Sequence, residues 1–332
     1  MGQESFPESL AWVEHRQLLG QLLRLVLWWW GLWRRLRGVR RRQRMIARDR
    51  VGIGWRPELA AGILAHLDRI DVVEVIADDW FDAGRGELRA LRTLGTHVPV
   101  VLHGVGLGLA SSAPVESRRL DVMARVVEAA LPEFWSEHLA FVRAGGREIG
   151  HLAAPPRTAA TIEGGAANVA RAQAVVGTVP LLENIATLID PPGSDRDEAS
   201  FVAGVAAAAN ADLLVDLHNL HANAVNFGFD PRAFLDALPL RRVRAVHLAG
   251  GKWISASSGE MRLLDDHLHD VPDPVFTLLE ELTALAPRPL TIVVERDGDY
   301  PPIERLLEEL DRARRALARG RARRAAASAR LA

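Results

Sequence analysis

The chain has no cysteine among its 332 residues. That absence excludes disulfides, thiolate metal sites and a cysteine nucleophile, so any metal must be held by His, Asp, Glu, Asn or backbone oxygen. Lysine is almost missing too: Lys252 is the only one, a bias of composition rather than a functional cluster. No apolar run reaches the roughly 20 residues of a membrane-spanning helix, because Arg24 interrupts the one candidate. A doubly wound nucleotide-binding sheet lacks its signature as well. Val51-Gly52-Ile53-Gly54-Trp55-Arg56 runs straight on to Pro57 without a Gly-x-Gly-x-x-Gly phosphate cradle.

The formal net charge of −1 conceals an uneven distribution. Residues 1–50 carry 11 arginines against 4 acids, and residues 312–332 carry 8 arginines against none. Residues 51–311 therefore hold 22 basic and 38 acidic side chains, a net of −16. So acidic a middle argues against nucleic acid as a partner and suits cation binding.

The first 50 residues differ from the rest, with Trp28, Trp29, Trp30 and Trp33 followed by a run of arginines from Arg34 to Arg44. The positive charges follow the apolar stretch rather than precede it, which is the wrong order for a secretory signal and leaves a cytoplasmic location as the expectation. Residues 17–44 have the Trp/Arg character of an interfacial helix that tethers a domain to an anionic membrane. The favoured expectation is a disordered or untranslated extension upstream of Met45, since so short a tract has no means of burying itself. The Ala/Arg-rich residues 319–332 read as a frayed, solvated, disordered tail.

Between these ends, residues 51–318, short β-branched runs alternate with helical patterns. Strands are expected at Val51–Gly54, Val72–Ile76, Val98–His103, Phe134–Phe141, Val179–Glu183, Leu213–Asp216, Val243–Leu248 and Leu290–Glu295. Each is followed by a helix, several of them with proline in the first turn. Eight strand–helix units over roughly 260 residues make an α/β fold of the (β/α)8 TIM-barrel type.

Barrel enzymes build their sites at the carboxyl ends of the strands. Polar, metal-capable residues stand at those ends here: His103, Glu137 and His138, Glu183 and Asn184, Asp216 with His218 and Asn219, His247, and Glu295 with Asp297. The densest stretch is Asp265-Asp266-His267-Leu268-His269. On one extended strand, Asp265, His267 and His269 would project to the same side. By the same alternation Glu137 and His138 cannot both face the pocket; Glu137 is taken as the ligand and His138 as its supporting neighbour. Glu183, Asn219 and Asp297 are likewise expected to orient ligands rather than bind metal. Oxygen and imidazole donors without thiolate suit iron, manganese or zinc.

In order along the chain, Leu102-His103-Gly104-Val105-Gly106-Leu107, Ser136-Glu137-His138-Leu139, Leu182-Glu183-Asn184, Asn226-Phe227-Gly228-Phe229-Asp230-Pro231, His247-Leu248-Ala249-Gly250, Asp265-Asp266-His267 and Val271-Pro272-Asp273-Pro274 resemble the motifs of the multinuclear non-heme iron-dependent oxidases. This barrel family includes the catalytic subunit of the methanobactin-forming oxidase. The resemblance covers roughly residues 51–310. It implies a cytoplasmic enzyme of natural-product biosynthesis that uses iron, with dioxygen as co-substrate, to oxidise residues, often cysteines, of a ribosomally made precursor peptide. A small leader-binding partner protein commonly assists. It implies His103, Glu137, Asn184, Asp216, His247, Asp265, His267 and Glu295 as iron ligands, with His269 and His218 as further candidates. Two departures, Ile76 and Phe227 where the family has histidines, mark a divergent subgroup with one to three irons, fewer than the full cluster. Two other readings remain open from the residues alone: a redox-inert divalent-metal barrel of sugar-isomerase or phosphodiesterase type, and a degenerate peptide-binding barrel without catalysis.

Overall fold

Eight parallel strands close into a barrel, as the alternating pattern predicts. The structure, a computed structural model, describes residues 48–255 and 259–331. The expectations for the Trp/Arg-rich extension, including its membrane-surface reading, lie outside the described residues. Among the described residues no helix is long and apolar enough to cross a membrane.

The chain begins with β1 (Arg50–Gly54), α1 (Ala60–Ala65), β2 (Val73–Ile76), α2 (Arg85–His97), β3 (Val100–Gly104) and α3 (Ser117–Ala130). Where the sequence predicts a single strand over Phe134–Phe141, the barrel strand β4 (Trp135–His138) stops. A separate antiparallel hairpin then follows, β5 (Phe141–Ala144) and β6 (Arg147–Ala153). Next come α4 (Ala159–Val176), β7 (Leu181–Glu183), α5 (Glu198–Ala208), β8 (Leu213–Asp216), α6 (Leu217–Phe227) and α7 (Pro231–Ala237). The remainder is β9 (Val243–Leu248), the hairpin β10 (Gly251–Ser255) and β11 (Met261–Asp265), α8 (Asp273–Leu285), β12 (Thr291–Val294) and α9 (Ile303–Leu331). Around the barrel the strands run in the order β1-β12-β9-β8-β7-β4-β3-β2, and β2 closes on β1.

Helix starts follow local chemistry. Asp197, Asp216 and Asp230 cap α5, α6 and α7, each accepting a hydrogen bond from a backbone N–H of the first turn, and Pro231 opens α7. α4 and α6 end at Gly177 and Gly228, which take φ of 90° and 72°.

Side chains alternate across each strand, so every second residue faces the barrel axis. Val72, Val101, Phe134, Leu181, Leu214 and Ala245 form one buried apolar cluster separate from the main core between strands and helices. Moving two residues on along each strand reaches Glu74, His103, Ser136, Glu183, Asp216 and His247, all buried. The barrel interior is therefore an apolar floor beneath a polar layer. At Gly52 the floor admits no side chain, because a Cβ there would lie 1.8 Å from the Val72 carbonyl oxygen.

The expectation of a solvated coil from residue 319 is corrected, since α9 continues to Leu331. Gly320 lets it approach α8 closely: a Cβ at that position would lie 1.9 Å from Thr283 Oγ1 and 2.3 Å from the Glu280 carbonyl oxygen. Arg321 then donates to Asp49 at 2.7 and 2.8 Å and to the Arg288 carbonyl at 2.6 Å, tying this turn to the start of β1. The arginines that look like a solubilising tail in the sequence are partly structural anchors.

Candidate metal centre

The polar layer brings together His103, His138, Glu74, Glu183, Asp216, His247, His267 and Glu295. Four overlapping trios each offer three ligand atoms within 4.8 Å of one another: Glu74, His103 and His247; His103, His138 and Glu183; Glu183, Asp216 and His247; and Asp216, His267 and Glu295. Shared members make them one continuous cluster across the barrel mouth. Strand register produces the adjacency, because His138 pairs with Glu183 and Asp216 with His247.

His247 lies among three carboxylates: its Nδ1 is 3.1 Å from Glu183 and 3.0 Å from Glu295, and its Nε2 is 3.0 Å from Glu74. Burial alone would discharge this imidazole, but Glu295, Glu74 and Glu183 outweigh it and raise its pKa well above the ordinary value. Glu295 is buried too, and His247 with His267 holds its carboxyl well below the usual range. Asp216 goes the other way. Burial, then Asp265 and Glu183, push its carboxyl well up. His138, dominated by burial, falls to about 4 and is a neutral imidazole at ordinary pH.

Several expectations from sequence are revised. Glu137 is fully buried but has the opposite parity to Ser136 and His138. It accepts from the backbone N–H groups of His138 at 3.1 Å and Leu107 at 3.4 Å, outside the four trios. His138 takes the inward position, with its Nε2 3.3 Å from Glu183. Glu183, expected to support, belongs to two trios. Asn184 does not present its amide to the cluster: its Nδ2 donates to the Asp216 carbonyl and its Oδ1 accepts from the Asp216 N–H, both at 3.0 Å. It is a backbone clasp for the neighbouring strand.

Asp265, His267 and His269 do not share one strand, because β11 ends at Asp265 and His267 has φ of 54°. The left-handed turn at His267 is held by its N–H to the Gly250 carbonyl at 3.0 Å and by its carbonyl, which accepts from the Asp297 N–H at 2.9 Å. It swings the ring back, putting Nε2 2.9 Å from Asp265 and Nδ1 3.2 Å from Asp297. His269 points away: it is 45% exposed and pairs with Asp266. Asp265 sits beside the trios, and His218 Nδ1 meets it at 2.7 Å.

Around these residues a supporting set recurs. Ser136 Oγ bonds His103 Nδ1 at 2.8 Å. Asn219 anchors Asp216 by its N–H and the Asn184 carbonyl by its amide. Asn226 bonds both the N–H and the carbonyl of Leu263, fixing the hairpin next to Asp265. Asp297 bridges His267 to Arg56, whose nearly buried guanidinium donates to it through Nε at 3.0 Å. Sequence reasoning does not single out Glu74, Ser136 or Arg56. A charged or polar residue at inward parity within an apolar strand is the available signal for the first two; Arg56 has none. Among the other acids and imidazoles near the strand ends, Asp78, Asp79 and His221 lie outside the trios.

Fold and site together define a TIM barrel with candidate metal-binding groups where such enzymes carry their chemistry. Residues 50–318 match the family described as RiPP precursor modification enzyme MbnB/TglH/ChrH, and the chain belongs to that family. A UPF0276 protein of Streptomyces avermitilis is 37% identical over 288 residues, 84% of this chain, and the chain spans 57% of that relative's length. A UPF0276 protein of Bordetella bronchiseptica is 34% identical over 271 residues, covering 82% of this chain and 93% of that protein. Among solved structures, D-psicose 3-epimerase from Clostridium cellulolyticum H10 aligns with a TM-score of 0.56 at 11% identity, over 81% of this chain and 99% of that one. An L-ribulose 3-epimerase aligns with a TM-score of 0.54 at 14% identity, over 84% and 98%. At such identities the likeness shows the fold alone.

Proposed function

We propose that this protein is an iron-dependent oxidase that modifies a residue, often cysteine, of a ribosomally made precursor peptide, with a small leader-binding protein as partner. One observation carries the reading. Asp216 Oδ2 is buried without a hydrogen-bond partner, and Glu74 Oε1, Glu183 Oε2, Glu295 Oε2 and both His267 nitrogens, also buried, meet only other acids and imidazoles of the site, at 2.9–3.4 Å. Buried polar atoms normally find well-directed hydrogen bonds, and lone pairs that converge on one another in one layer instead fit a set of metal donors. The donors are imidazole and carboxylate throughout, which suits ferrous or ferric iron.

His103, His138 and Glu183 would hold one ion. Glu183, Asp216 and His247, with Glu74, would hold a second, and Asp216, His267 and Glu295 a third. Iron there would supply one-electron redox chemistry with dioxygen as co-substrate. The chain's own residues set the geometry: Ser136 orients the His103 ring, Asp297 and Arg56 orient His267, and Asn184 and Asn219 fix Asp216. The absence of cysteine from the chain leaves a substrate thiolate without internal competition for metal.

The test is anaerobic purification, ferrous reconstitution and metal analysis. Two or more irons per chain are expected; less than one, with zinc or manganese preferred, counts against the reading. Turnover that persists in the strict absence of dioxygen would favour a redox-inert metal barrel instead.

A further inference from the structure

Connections that follow β4, β7 and β8 line a separate, half-open cavity of about 710 Å³. Three aromatic rings line it. Phe227 ends α6, and Phe229 stacks on Phe234 of α7 with ring centroids 6.5 Å apart. Asp190, Asp195, Asp197, Glu198 and Asp230 also line it, against Arg157 and Arg196. Both guanidiniums are already committed, Arg157 to Asp190 at 2.9 Å and Arg196 to Asp195 at 2.7 Å. The caps formed by Asp197 and Asp230 each use one carboxylate oxygen. The cavity therefore combines partly exposed Phe227 and Phe229 with a surplus of acidic over basic side chains, and the Arg262 guanidinium already lies 5.8 Å from the Phe227 ring centre, a cation on an aromatic face of this lining.

Its lining is tied to the segment that follows β7. Asn223 Nδ2 donates both to Glu198 Oε2 and to the Ile185 carbonyl, each at 2.9 Å. A much smaller void shares Arg157 and Glu198 with the cavity and reaches Asn184, the residue that clasps Asp216. Through Arg157 and Glu198 the cavity thus adjoins the void that ends at Asn184, whose amide holds the Asp216 backbone.

We propose that this cavity is a subsite for the peptide substrate and takes an aromatic or aliphatic side chain flanked by arginine or lysine. This rests on the peptide-modifying reading above and names the kind of sequence that the site recognises. Ring faces receive apolar side chains and attract a neighbouring cation, and the unneutralised carboxylates reward positive charge on either side.

The assay uses the full chain after iron reconstitution and a fluorescein-labelled hexapeptide of alternating arginine and phenylalanine, followed by anisotropy. One control peptide replaces arginine with glutamate, the other phenylalanine with serine. The parent peptide should bind at least about tenfold more tightly than either control. Phe227→Ala and Asp195→Arg should each remove about tenfold of that affinity while bound iron stays unchanged. Asp195 is more than half exposed, so Asp195→Arg decides alone should Phe227→Ala fail to fold. Equal binding of all three peptides, or variants that bind like the parent chain, overturns the proposal. A chain that discriminates the peptides but takes up no iron overturns the iron reading and leaves the subsite standing; an iron-loaded chain without discrimination does the reverse.

Discussion

At the scale of single residues, parity decides which side chains meet. Glu137 and His138 are neighbours in sequence, both metal-capable and both buried, yet only His138 faces the barrel axis. Glu183→Gln should therefore lower iron content by at least one ion per chain, whereas Glu137→Gln should leave it unchanged, as metal analysis would establish. Arg56 touches none of the trio members directly but holds Asp297 against His267. Arg56→Ala should weaken iron retention about 10–100-fold in a chelator competition without unfolding the barrel. Glu198 is not one of the proposed ligands, and burial raises its pKa to about 7 despite Arg157 and Asn223. Below the unfolded-state value both states are protonated; above it the folded state keeps a proton that the unfolded chain has lost. Stability therefore falls as pH rises through about 7, by up to about 3 kcal/mol. Urea melts at pH 5 and pH 8 should show this decline in the native chain and a smaller one in Glu198→Gln.

At the scale of elements, the strands are legible in the sequence and the hairpins are not. Leu213–Asp216 and Val243–Leu248 have the bounds that their apolar runs predict. The hairpins β5–β6 and β10–β11 escape such a reading because they are short, partly exposed and stabilised by what they cover rather than by a hydrophobic period of their own. α6 is hidden for a similar reason: its first turn looks like a cluster of ligands, His218 and Asn219, directly after a strand. α9 shows the converse, in which a basic, alanine-rich composition that suggests coil is a packed helix. Removing residues 319–332 deletes the Arg321 contacts to Asp49 and the close packing at Gly320. The truncated chain should melt several degrees lower, on the order of 2–4 °C per kcal/mol lost in a barrel of this size. An unchanged melting temperature would return the segment to the status of a solvated tail.

At the scale of the whole molecule, the barrel concentrates negative charge at its mouth. Glu74, Glu183, Asp216, Asp265 and Glu295 converge there, and the same layer supplies five imidazoles, His103, His138, His218, His247 and His267. Converging carboxylates disfavour one another's ionisation, which adds to burial in pushing Asp216 so far up. Cations that bind the folded state and not the unfolded one stabilise it by mass action. Ferrous iron added anaerobically should accordingly raise the melting temperature in proportion to the logarithm of its concentration, and Glu183→Gln should blunt that rise.

Strand spacing in the sequence is enough to give the barrel, and residue type is enough to put imidazoles and carboxylates at its carboxyl end. Strand period, strand count and residue type are local properties, readable without neighbours, and the absence of cysteine needs no fold at all. Which donors converge depends on the folded barrel. Inward or outward direction depends on where each strand's register begins, and a shift of one residue exchanges the two faces. That choice admitted His138 and Glu74, turned Glu137 away and set Asn184 to clasping a backbone. At His267 a single left-handed residue, held from Gly250 and Asp297, aims the ring that strand alternation alone could not place.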